Sequence, residues 1–285
     1  MADVAARLLA EVTGGSIGAL LPDELQARLA TWDPADVAAA CANVLIRPQP
    51  LDVPSIGLAL NNAALGAHWL LAFEELGLPR GLAVYEPGAG ASEPVLLAAG
   101  AYSGGAGRYV TLNLNRPLAA ELRAKLGNVK LDWTIIEDYA QLAAVHLAPA
   151  SFDVACFHHA VNDILQTAVS EPRGLDTRDI DWWPNERQMI EWLTQDAAAG
   201  RLDECARPAL LAAVGQAVTL VRPGGWLLFD HWTWEKYRNV AWFPWQLFTD
   251  LLPLARSWIT TAAMPLREQP LTGRDPRWWM ALRRE

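Results

Sequence analysis

Val84-Tyr85-Glu86-Pro87-Gly88-Ala89-Gly90-Ala91-Ser92-Glu93-Pro94 is the stretch that decides how the rest of this chain is read. A short apolar run ends in an acid, a tight Gly-x-Gly turn follows, and a helix start comes next. Gly88 and Gly90 permit positive φ and let the backbone approach a ligand closely. Ser92 suits a helix N-cap, and Pro94 suits the first helical turn. By itself the loop fits three readings. These are a plain strand-to-helix turn, a dinucleotide fingerprint, and a cradle for a cofactor with a positive centre and no phosphates.

The dinucleotide pattern G-x-G-x-x-G needs glycine at position 93, where Glu93 stands. A carboxylate at a helix mouth repels a pyrophosphate drawn to the N-terminal end of the helix dipole. No tyrosine has a lysine four residues later, so the catalytic pair of the short-chain dehydrogenases is missing as well.

Upstream of the loop, residues 1–80 read as helical. Leu8, Leu9 and Val12 recur at helical spacing, as do Leu25, Leu29 and Trp32. Asp33 is placed to cap a helix with Pro34 in its first turn, and Pro48, Pro50 and Pro54 break the chain before a helix from about Asn62 to Leu76. From Gly81 short apolar runs alternate with helical stretches, the pattern of βαβ units and a parallel sheet. Strands are expected at Leu82–Glu86, Tyr109–Leu114, Leu131–Ile136, Phe152–Phe157 and Trp226–Asp230. The intervening helices are expected near Glu93–Ala99, Pro117–Leu126, Tyr139–Val145 and Pro208–Val221. Trp242–Leu254 reads as a helix. Trp258–Met264 and Trp278–Arg283 read as two β runs without a crossover helix, hence an antiparallel pair at the sheet edge. About 50 residues separate the strand near Phe157 from the helix near Pro208, far more than a usual loop. They hold Trp182, Trp183 and Trp192 and read as an inserted helical lid over about residues 164–207.

The chain has 285 residues, 52% hydrophobic and 19% charged, so a large core is available. Its net charge of -9 argues against a phosphate-backbone partner, and hence against nucleic acid. Arg274, Arg277, Arg283 and Arg284 read as a solvated strand end. The scattered Cys41, Cys156 and Cys205 read as reduced thiols of a cytoplasmic protein. The first residues read as an amphipathic helix rather than a signal peptide, and no uncharged apolar run is flanked as a membrane span would be, so no membrane partner is expected. Eight of the 14 tryptophans lie between Trp182 and Trp245, which suggests an aromatic-lined pocket or lid.

Glu86-Pro87-Gly88-Ala89-Gly90 resembles motif I of the class I S-adenosylmethionine-dependent methyltransferases. Over residues 81–285 further segments resemble that family in order and spacing. They are Tyr109 to Asn115, Ile136-Glu137-Asp138-Tyr139, Ser151 to His159, and Val221-Arg222-Pro223-Gly224-Gly225-Trp226-Leu227-Leu228. The resemblance implies a Rossmann-like α/β three-layer sandwich. Its sheet has seven strands, mostly parallel, with an antiparallel edge hairpin. A helical N-terminal cap (1–80) and the helical insertion are added to the methyltransferase domain (81–285). It implies S-adenosyl-L-methionine as cofactor, with the methionine moiety over Gly88 and Gly90 and Glu86 near its ammonium group. The ribose falls at Asn113 and Leu114, where most members carry an acid at the first position. The adenine falls at Asp138 and Tyr139, and His158 borders the methionine end.

Methyl transfer is an in-line displacement at a sulfonium, so the protein chiefly positions the acceptor and excludes water. A general base is needed only where the acceptor must lose a proton. His159, Asp163 and His231 stand at strand ends facing the cleft and are the catalytic candidates. No His/carboxylate set of the kind used by metal-dependent O-methyltransferases is spelled out, so no metal is expected. The Asn/Asp-Pro-Pro-Tyr/Phe motif of the amide and exocyclic-amine enzymes is replaced by His158-His159-Ala160-Val161. A small-molecule acceptor, methylated on oxygen, is the expectation, in a monomer or homodimer. A protein or peptide methyltransferase and a non-catalytic S-adenosylmethionine-binding module are the alternatives.

Overall fold

The computed structural model describes residues 2–38, 57–126, 129–233 and 237–285. The proline-rich break at Pro48, Pro50 and Pro54, together with Cys41 and Trp234, lies outside them. Helices α1 (Ala2–Thr13) and α2 (Asp23–Leu29) are followed by a helical turn at 34–38, where Asp33 Oδ1 accepts from the Ala35 amide at 2.8 Å. That is the N-cap its sequence asks for. Helix α3 (Gly57–Glu75) leads into the sheet.

The alternating part then runs β1 (Ala83–Pro87), α4 (Pro94–Ser103), β2 (Arg108–Leu112), α5 (Arg116–Lys125), β3 (Asp132–Ile136), α6 (Ala143–His146), β4 (Phe152–His158) and α7 (Ala160–Ser170). After the insertion, made of α8 (Trp182–Ala198) and α9 (Leu202–Cys205), come α10 (Arg207–Leu220), β5 (Val221–Asp230), α11 (Trp245–Thr261), β6 (Leu266–Glu268) and β7 (Trp279–Arg284).

Seven strands form one sheet in the order β3-β2-β1-β4-β5-β7-β6. β1 to β5 are parallel, and β7 is antiparallel to both β5 and β6. The fold is therefore a Rossmann-like α/β sandwich with an antiparallel edge. Alternation along the strands sorts the core into two layers. Val84, Cys156 and Leu228 pack with α1, α3 and α4 on one face. Tyr85, Phe157 and Phe229 pack with α7, α10 and α11 on the other. Strand order reverses between β1 and β4, so the loops leaving those strands part and open a crevice at their carboxyl ends.

Three local expectations are corrected. Trp258–Met264 is no strand: α11 continues to Thr261. Trp-Ile-Thr-Thr has β propensity, but Leu251, Leu252, Ala255, Trp258 and Ile259 recur at helical spacing and are all buried on one side. That burial outweighs local preference, and Pro253 sits inside the helix without ending it. Ser92 is not an N-cap, because its amide closes a turn onto the Ala89 carbonyl and Glu93 takes the cap position. Arg274 is not solvated. Its side chain is 2% exposed, pairs with Glu75 at 2.8 Å and donates to the His68 carbonyl.

In the insertion, the buried Asp196 carboxylate accepts from Arg173 and from Arg201, and so ties α8 to the chain on both sides of it. Removing an acceptor shared by two guanidinium groups at a buried site costs about 1–3 kcal/mol once partial exposure of the arginines is allowed for. Asp196→Ala is expected to lower the urea midpoint accordingly with an unchanged m-value.

Candidate active site

The crevice holds about 500 Å³ of space that is continuous with solvent at its mouth. Its floor is the turn after β1. Gly88 and Gly90 have φ of 69° and 60°, a region where side-chain-bearing residues are strained. The amide of Gly88 donates to the Leu112 carbonyl at 2.7 Å, which folds the loop back over the end of β2. Gly88, Gly90, Asn113, Leu114, Asp138, Tyr139 and Asp163 all line this one cavity. Seven of the sequence candidates are thus neighbours.

The other four are not on its wall. Glu86 and His158 alternate onto the face packed by α3 and α4. Glu86 is 1% exposed and accepts from the Tyr109 hydroxyl at 2.5 Å, and its Oε1 has no partner. Burial pushes its carboxyl up to about 8, against the pull of His158 and the Tyr109 bond. His158 Nδ1 lies 2.9 Å from both carboxylate oxygens of Asp230 and 3.2 Å from Trp69 Nε1. The Trp69 indole N–H can donate to Nδ1 only when that nitrogen is bare, whereas a proton on Nδ1 runs the bond from His158 to Asp230 instead. Burial alone would lower the His158 pKa, but the Asp230 carboxylate outweighs it and the net shift is upward.

His159 and His231 form a different unit. Their rings stack at 4.7 Å and 7°, and Trp232 stacks on His159 at 4.6 Å. His159 is held at φ 54°, a conformation costing roughly 1–2 kcal/mol. Its amide meets the carbonyl and Oδ1 of Asp230, which offsets that strain. Burial, with the neighbouring imidazoles, drives the His159 pKa well below its ordinary value. Burial takes His231 down to about 4, and its Nε2–H donates to the Phe248 carbonyl. Both rings are neutral at pH 7, and neither lines the cavity: His231 is buried against α11, and the half-buried His159 stacks on it.

Asp163 is the remaining catalytic candidate, on the first turn of α7 and facing the cavity. Burial, reinforced by Glu186 from α8, raises its carboxyl to about 8. Its Oδ1 accepts from Asn162 Nδ2 at 3.1 Å. Asp138 is fixed by His146 at 2.7 Å and by the Tyr139 amide, and the His146 bond first of all holds its pKa down. The Tyr139 hydroxyl donates to Glu171, and Arg178 covers its ring at 4.6 Å.

Asn115, assigned no role from the sequence, and Trp182, expected there only as part of an aromatic lid, close the site. Asn115 Oδ1 caps α5 by accepting from the Leu118 amide, while its Nδ2 donates to the carbonyls of Thr177 and Ile180. That bond pair fastens the segment before α8 across the ends of β2 and β3. It seats Trp182, 5% exposed, against Leu118 and Met189 as a wall of the cavity. The capping role of an Asn before Arg116-Pro117 is readable in sequence; its partners 62 and 65 residues away are not.

No protein-family model matches the sequence, and no curated protein does. Solved structures are similar at low identity. A SAM-dependent methyltransferase from Aquifex aeolicus aligns over 89% of this chain and 98% of its own, at 12% identity and a TM-score of 0.40. A SAM-dependent O-methyltransferase from Thermotoga maritima aligns over 76% and 64%, at 8% identity and a TM-score of 0.42. The structure of PH0851 aligns over 76% of this chain at 13% identity and a TM-score of 0.46, and this chain spans 45% of its length. Likeness at this level says nothing about a substrate.

The Glu86 carboxyl makes stability depend on pH. In the unfolded chain it loses its proton near 4.5, whereas in the folded protein it keeps it up to about 8. Between those values the folded state binds more protons, so this residue's contribution falls as pH rises. Glu86→Gln keeps an acceptor for Tyr109 without the charge. It is expected to raise Tm relative to the parent more at pH 8 than at pH 5, as followed by thermal melts.

Proposed function

We propose that this chain is an S-adenosylmethionine-dependent methyltransferase that acts on a small molecule, on an oxygen that must lose its proton. The observation that carries the reading is the character of the cavity at the glycine loop. Its wall holds two carboxyl groups, Asp138 and Asp163, and no basic side chain among the described residues. A phosphate-bearing nucleotide needs donors and positive charge there. A ligand with a sulfonium and an ammonium group and no phosphate suits it.

The residues present fit that cofactor. Gly88 and Gly90 leave the loop without side chains over the cavity, where added Cβ atoms would come to 3.7 Å from Ala160 and 3.8 Å from Leu118. In this reading Asn113 and Leu114 receive the ribose, and Asp138, Tyr139 and Trp182 receive the adenine, all of them on the wall of the one cavity. Glu86, behind the loop and off the cavity wall, keeps its proton up to about 8 and offers an ammonium only a neutral acceptor in its unpartnered Oε1. When bound, S-adenosylmethionine supplies a methyl group already activated on sulfur.

Asp163 is assigned the base. Its Oδ2 takes the proton of the acceptor hydroxyl, and the carboxyl is competent only once it has itself ionised, near pH 8. His159 and His231, neutral and off the cavity wall, take no proton from the acceptor in this reading. The buried seat of Trp182 supports an enclosed small-molecule site over an open peptide groove, and the acid-lined wall disfavours nucleic acid. Catalytic turnover separates this reading from that of a binding module without activity.

Calorimetric titration with S-adenosylhomocysteine is expected to give one-to-one binding, and no heat at millimolar ligand would remove the proposal. With a hydroxyl acceptor in hand, kcat/KM is expected to climb with pH to a plateau above about 8. Asp163→Asn is expected to lower the plateau by about 10²–10⁴-fold and to abolish the climb.

A further inference from the structure

Asn113 stands where the family that this chain resembles usually carries an acid, and the structure gives the amide a use that no acid can have. The residue is 2% exposed, and its own amide donates to the Ile136 carbonyl at 2.8 Å, so its backbone is pinned between β2 and β3. From there Nδ2 reaches across to the turn after β1 and donates to the Gly90 carbonyl at 2.6 Å. We propose that Asn113 is a positioning residue that clamps the glycine loop, and that it offers a bound ribose only its neutral Oδ1.

Little else holds that peptide. Gly90 has φ 60°, and nothing lies closer than 3.8 Å to where its Cβ would be, so packing does not fix the turn. The clamp is one of four polar ties on the loop, with the Gly88 amide on Leu112, the Ser92 amide on Ala89 and the Lys125 ammonium on the Ala91 carbonyl. The carbonyls of Gly90 and Ala91 are thereby each taken up by a side-chain donor. A carboxylate at 113 has no hydrogen for the Gly90 carbonyl, and two oxygen lone pairs would face each other across the same gap. The acid usual in the resembling family would therefore release the loop. The part of the proposal that concerns ribose rests on the methyltransferase reading, whereas the clamp itself does not.

The test uses the full chain, the variants Asn113→Asp and Asn113→Ala, and two readouts. Amide hydrogen exchange over residues 88–92 without ligand is expected to run about tenfold faster in both variants, the factor for losing one net hydrogen bond. In calorimetry with S-adenosylhomocysteine at pH 7.5, Asn113→Asp is expected to bind about tenfold more weakly than the parent. That ratio shrinks toward pH 5, where a protonated aspartic acid can again donate to Gly90. Asn113→Ala loosens the loop equally and shows no such recovery. Unchanged exchange in both variants, or tighter binding by Asn113→Asp, would overturn the clamp. Absence of binding by the parent protein would instead sink the methyltransferase reading, and exchange alone would then decide the clamp.

Discussion

The strand order of the sheet is the constraint on which the rest depends. β1 pairs in parallel with β2 on one side and β4 on the other. Right-handed crossovers then send the chain leaving β1 over one face and the chain leaving β4 over the opposite face. The two loops cannot meet, and the gap between them is the cavity. The glycine turn, the ends of β2 and β3 and the first turn of α7 are brought to one place by that single geometric fact.

Charge around the cavity follows from burial more than from residue type. Asp163 and Glu86 keep their protons up to about 8, while His231 loses its proton above about 4. A naive assignment at pH 7 would make the acids negative and the imidazole a fair base, and desolvation reverses each of these. Asp230 is the exception that organises its surroundings. It meets the His158 ring and the amide of the strained His159, and so joins the end of β5 to the start of α7.

The insertion belongs to the site because of polar ties made by side chains just beyond the ends of β2 and β3. Asn115, Arg116 and Tyr139 hold the segment between α7 and α8 through Thr177, Ile180, Asp179 and Glu171. Those bonds decide where Trp182 sits. An extended loop of this length pays for its ordering through such contacts, since it has little apolar surface of its own to bury.

The order of strands and helices from residue 81 was legible because hydrophobic spacing switches between periods of two and 3.6, and because Pro and Gly mark the turns. The Asp33 cap and the start of α4 at Pro94 were legible for the same local reasons. Clustering of Gly88, Gly90, Asn113, Leu114, Asp138 and Tyr139 was anticipated through resemblance, since nothing local places residues 50 apart together. Tertiary structure alone decided the rest. It kept Trp258 to Thr261 helical because that side of α11 is buried. It turned Glu86 and His158 to the face under α3, since strand alternation leaves no choice of side once the register is set. It drew His159 and His231 into a stack and left Asp163 on the wall. And it aimed the amide of Asn113 at Gly90, a direction fixed by the pairing of β2 with β1 and invisible in the order of residues.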